Sequence, residues 1–226
     1  MTFAQTSNLV APLQHRLEWQ ESGAGRASSV SFTTLHQGPR ASDVAPGRML
    51  VSYVLRHSAS GMDVRSSDGG QRCRLGAGAM LVCSGPGLVL QRGAVQRGAR
   101  CVAIDLLLPG ASRPGVFIHM DDYYPTFINS ARGCLRLLMG SWDGHRALLA
   151  PIDGFWMLDV DVAPGEELHV PVSPPGAVAV LTTGSLVVDG TTVDGTRLLL
   201  LDSDGQAIRL ASDAGASLLL FPQGFL

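Results

Sequence analysis

An all-β fold of two tandem barrels is predicted by three observations. Short runs rich in Val, Leu and Ile recur along the whole chain. Glycine and proline, 27 and 13 of the 226 residues, punctuate those runs at the spacing of a sandwich or barrel. One strand-and-turn pattern also occurs twice. No stretch carries a convincing 3.6-residue period; RALLAPI (146–152) could form a single helical turn.

The strands follow in order. In the first half they are SVSFTTL (29–35), MLVSYVL (49–55), AMLVCS (79–84), LVLQR (88–92) and CVAIDLLL (101–108), each apolar and bounded by turn residues. In the second half they are CLRLLMG (134–140), FWMLDVDV (155–162), AVAVLTTGSLVVDG (177–190), TRLLLLD (196–202), AIRLA (207–211) and ASLLLF (216–221). The repeated pattern matches residues 52–87 with 177–210. Each copy has an apolar strand, a turn at Gly61 or Gly184, a strand ending in Asp63-Val64 or Val187-Val188, then Gly78 or Gly195 before another apolar strand. The two barrels are assigned to 1–110 and 111–226, with a linker in LPGASRPG (108–115).

Composition limits the function classes. With 46% hydrophobic residues the chain can bury a real core. Its net charge of -2, with no basic stripe, argues against a nucleic-acid partner. All 17 cations are Arg, a coding bias rather than a functional signal. The N-terminus lacks a signal-peptide pattern and no apolar run reaches a membrane-spanning length, so a cytoplasmic protein is expected. Cys73, Cys83, Cys101 and Cys134 show no C-x-x-C spacing, which suits reduced thiols.

The order of motifs from 125 onward carries a family resemblance: Pro125, GCLRLLMG (133–140), Pro151, FWMLDVDVAPG (155–165), LHVP (168–171) and VAVLTTG (178–184). This succession resembles the C-terminal domain of the pirin family, which are bicupins, pairs of jelly-roll barrels. The likeness covers about 45–221; residues 1–44 have no assigned role. It implies a metal, commonly iron, in the first barrel. Some pirins act as quercetin dioxygenases, others as transcriptional cofactors or redox sensors. The family's ligand segments fall on Asp43-Val-Ala45 and on GPGLVLQR (85–92). Asp43, Ala45 and Leu90 thus stand where the family has histidines, and Arg92 where it has glutamate.

Leucine and alanine donate nothing to a metal, and a guanidinium has no lone pair to give. The six histidines are scattered, and no Glu occurs between residues 22 and 165. A relocated site would draw on His57 or His36. The expectation is therefore a pirin-like bicupin with no metal cofactor, non-enzymatic, binding a small anionic ligand or a protein partner. The alternative is a metal-dependent quercetin 2,3-dioxygenase-like oxygenase with relocated ligands. The pocket candidates are Asp43, Tyr53, His57, Leu90 and Arg92. Asp43 and Arg92 either form an ion pair in the old metal site or are a loop residue and a strand-end surface charge. Asp121-Asp122-Tyr123-Tyr124 is read as a linker, and Trp142-Asp-Gly-His145 as a hairpin.

Overall fold

The computed structural model describes residues 14–18, 29–35, 40–43 and 47–223, apart from 67–69, 85–88, 96–98, 108–115, 122–125, 151–152, 173–175, 189, 196 and 203–206. Before residue 47, and at 89–95, 99, 105, 107, 116–117, 126–129 and 202, only the backbone is described. Among the described residues there is no α-helix. Arg146 closes a short strand and Leu148 is exposed, so the helical turn expected from 146 does not form over 146–150. No helix of the described residues is long and apolar enough to cross a membrane.

The chain divides into two compact units, Met1–Asp122 and Tyr123–Leu226. The first holds β1 (Gln14–Glu18), β2 (Ser29–Leu35), β3 (Arg40–Asp43), β4 (Arg48–Val54), β5 (Met62–Ser66), β6 (Arg72–Leu75), β7 (Met80–Ser84), β8 (Val89–Val95), β9 (Ala99–Leu107) and β10 (Val116–Met120). They form a six-stranded sheet, β1-β2-β9-β4-β7-β10, and a four-stranded sheet, β3-β8-β5-β6. The sequence reading divided the chain at 110/111; β10, beyond that point, pairs with β7. Side chains of both sheets meet in one core: Val54, Leu81, Cys83 and Cys101 from the larger, Met62, Val64 and Leu75 from the smaller, and Ala79 from the turn before β7. β5 shows the two-residue period of a half-buried strand. Met62, Val64 and Ser66 are buried, Asp63 is half-buried and Arg65 is exposed.

The second unit holds β11 (Thr126–Ser130), β12 (Gly133–Trp142), β13 (His145–Arg146), β14 (Trp156–Val162), β15 (Glu166–Pro171), β16 (Gly176–Val188), β17 (Thr191–Asp194), β18 (Arg197–Asp202), β19 (Ala207–Ser212) and β20 (Ala216–Pro222). β16 is 13 residues long and serves both halves of its sheet. Its first part pairs with β18 and β20, its last part with β17 and β19.

This pairing mirrors the first unit. The path β1-β2-β9-β4-β7 corresponds to β12-β14-β20-β16-β18, and β3-β8-β5-β6 to β15-β19-β16-β17. The internal repeat seen in the sequence is therefore a repeat of topology. The matched glycines Gly61 and Gly184 share a cause: a Cβ would lie 2.2 Å from the Leu75 carbonyl oxygen at Gly61, and 1.9 Å from that of Gly215 at Gly184. Only a residue without Cβ lets these strands approach so closely.

Candidate functional site

The chain's unusual residues gather on the ladder β3-β8-β5. On one side of β8, Arg40 stands opposite Arg92, Ser42 opposite Leu90, and Asp43 opposite Val89. On the other side, Val64 stands opposite Arg92 and Ser66 opposite Leu90. Val64 and Ser66 are each 2% exposed. Residues directly opposite on antiparallel strands share a face. Arg40, Ser42, Leu90 and Arg92 therefore occupy the ladder face on which β5 is buried.

The corresponding ladder of the second unit buries one face. There Leu168 stands opposite Leu210, and Val170 opposite Ile208. All four are buried in the core of that unit. The positions between them, His169 and Arg209, are exposed.

Several expectations change on this register. β8 runs to Val95, so Arg92 is a mid-strand residue and not a strand-end charge. Arg92 is opposite Arg40; Asp43 is offset from it by three residues, about 10 Å of strand, at opposite parity. The ladder does not place Asp43 and Arg92 as an ion pair. Tyr53 is 1% exposed but alternates with Ser52 and Val54, on the face of β4 away from the Val54 core. His57 is exposed in the turn after β4. Of the five pocket candidates, only Leu90 and Arg92 share a ladder face. The side chains of Asp43, Leu90 and Arg92, and the whole of Ala45, lie outside what the structure describes.

Arg40 was missed by sequence reasoning. Its partner is 52 positions away, and no local pattern announces a pairing of β3 with β8. A buried ion pair in the second unit was missed too. Arg136 and Asp159 face each other on β12 and β14, with Arg136 Nη2 3.8 Å from Asp159 Oδ2 and both side chains nearly covered.

The remaining groups are structural. All four cysteines are thiols. Burial first, then Asp63 and Asp121, pushes the Cys73 thiol up to about 11. Burial first, then Cys73, pushes Cys83 up to about 12. Neither is a nucleophile at neutral pH. Asp143-Gly144 turns the β12–β13 hairpin, both residues having positive φ, and Trp142 donates its indole N–H to the Pro171 carbonyl at 2.7 Å. Asp121 lies 3.2 Å from His119; Asp122, Tyr123 and Tyr124 are outside the described residues. On the surface of the second unit Glu167 accepts from Arg209 at 2.5 Å and lies 2.7 Å from His169, and the Arg209 bond leads in holding its carboxyl below the usual range.

Of the positions that the resemblance implies, Ala45, Leu90 and Arg92 offer a divalent ion no donor, and Asp43 offers a carboxylate. Among the described residues, no group of three or more His, Cys, Asp or Glu could hold a metal.

No family model and no curated protein matches the sequence. Solved structures do match. A quercetin 2,3-dioxygenase from Acinetobacter baumannii superposes with a TM-score of 0.68 at 16% identity, covering 92% of this chain and 82% of that one. GK1651 from Geobacillus kaustophilus superposes at 0.69 and 14% identity, covering 95% and 90%. The fold is that of the cupins. The bacterial pirin YhhW from Escherichia coli, solved in complex with nickel(II), has a TM-score of 0.60 at 14% identity, covering 86% and 80%. At such identities the likeness establishes the cupin fold and nothing of the chemistry.

Proposed function

We propose that the chain is a pirin-like bicupin whose first unit has given up metal chemistry and binds a small molecule or a protein partner without catalysing a reaction. One observation carries this reading. On the β3-β8-β5 ladder, where the resemblance puts metal ligands, stand Leu90 and Arg92, with a second arginine opposite. A divalent ion beside two guanidinium groups meets repulsion from both and gains no coordinate bond from either. The free thiols support a cytoplasmic location.

A second reading keeps the activity named for one structural neighbour, that of a quercetin 2,3-dioxygenase, with the metal held by relocated ligands. What favours it is the fold alone. Elemental analysis of protein purified without chelator separates the two. The first reading expects substoichiometric iron, nickel and zinc, and no flavonol consumption when each metal is added back. Stoichiometric metal that is lost on mutating His57 or Asp43, with flavonol turnover, would overturn it.

A further inference from the structure

We infer that the β5–β6 hairpin of the first unit is a docking surface for an acidic, extended segment of a partner protein, which adds to the edge strand β6 with carboxylates at alternate positions beside Arg72 and Arg74. The surface is the outer face of the smaller sheet, and it serves whether or not the unit holds a metal. β6 is the last strand of the sheet β3-β8-β5-β6, and among the described residues it pairs with β5 alone. The other edge of such a strand presents N–H and C=O groups that a further strand can pair with.

Alternation divides the side chains of β6. Cys73 and Leu75 pack in the core of the unit, whereas Arg72 and Arg74 are exposed. On β5 the exposed Arg65 stands opposite Arg72, and the half-buried Asp63 opposite Arg74. Arg65, Arg72 and Arg74 thus share one solvent face. Among the described residues none of the three has an ion pair. Asp68, in the turn of the hairpin, lies outside those residues. In the second unit the exposed Arg132 and Arg209 do have carboxylate partners, Glu166 and Glu167.

Like charges directly opposite on a ladder repel. The register offers Arg65 no carboxylate: it has Arg72 on one side and Gln91 on the other. A negatively charged guest offsets that repulsion. A guest strand sets alternate residues about 7 Å apart, the spacing from Arg72 to Arg74. Carboxylates at those positions each meet one guanidinium fork. Main-chain pairing supplies affinity, and the charge pattern selects the guest. A second copy of β6 is a poor guest, because its arginines would meet these. A nucleic acid calls for a longer basic stripe than three arginines on a chain of net charge -2.

The test is fluorescence anisotropy of the full chain with a labelled peptide alternating glutamate and threonine. The parent protein binds it, and added sodium chloride weakens the binding. Arg72→Glu/Arg74→Glu loses about tenfold or more in affinity and gains affinity for a peptide alternating arginine and threonine. If that variant fails to fold, Arg72→Gln/Arg74→Gln serves, with the same loss for the acidic peptide. N-methylation along the peptide backbone abolishes binding. A parent protein that does not bind the alternating acidic peptide overturns the inference, as does equal binding by the parent and the double variants. Binding untouched by N-methylation overturns strand addition. Tighter binding of a single-stranded oligonucleotide of equal charge, lost in the same variants, overturns the peptide as the partner.

Discussion

The two units repeat one topology, yet the same ladder is filled in opposite ways. In the second unit β15 and β19 contribute Leu168, Val170, Ile208 and Leu210 to a core of leucine and valine. In the first, β3 and β8 place Arg40, Ser42, Leu90 and Arg92 at the positions of the same face. The second unit is solid hydrocarbon there, and burial alone accounts for it. The first has arginine at backbone positions opposite the buried Val64. The proposed function places the ligand site in the first unit, and this difference is what supports it.

The sharpest way to break the comparison is to exchange the fillings. Leu210→Arg places an unpaired guanidinium in the second core. It should cost several kcal/mol and leave the chain largely unfolded in chemical denaturation, about the penalty for an uncompensated buried ion. A mild effect there would mean that the second ladder tolerates charge as the first does.

Asp159→Ala comes next. It removes the carboxylate 3.8 Å from Arg136 Nη2 on nearly covered sheet and should cost about 3–5 kcal/mol. The loss would sharpen the comparison by showing that a buried arginine in the second unit depends on a protein carboxylate. A cost below about 1 kcal/mol, the range of surface pairs, would remove that contrast.

The thiols of the first core give a smaller, pH-dependent effect. Their folded pKa values, about 11 for Cys73 and about 12 for Cys83, lie above the ordinary 9.0. The neutral form is favoured in the folded state, so the stability they contribute is fully present below pH 9.0 and declines as pH rises from there toward 12. Cys83→Ala should flatten that decline, and a thiol reagent at pH 7 should leave Cys83 unmodified until the chain unfolds. Rapid modification of the folded protein would show the first core to be open. Smallest of all, Arg209→Ala removes the exposed contact to Glu167, and the melting temperature should not change measurably.

Much of the fold could be read from the residues. Turn glycines and apolar runs mark most strands, and the Gly61–Gly184 match marks the repeat, because close strand approach leaves a local trace as an obligatory glycine. The site was legible only in part. Leu90 and Arg92 stood out through the family resemblance, and the register keeps them on one face. Arg40 did not, since cross-strand pairing over 52 positions leaves no mark in either segment. Asp43 and Tyr53 were grouped with them through the resemblance and the barrel mouth it implies, yet a single-residue change of parity turns a strand position to the other face. The Arg136–Asp159 pair was hidden for the same reason as Arg40.

The central claim is that the first unit has leucine and arginine where a metal would need donors. Elemental analysis of protein purified without chelator tests it most directly. The account predicts substoichiometric iron, nickel and zinc. Stoichiometric metal that is lost on mutating His57 or Asp43 would contradict it.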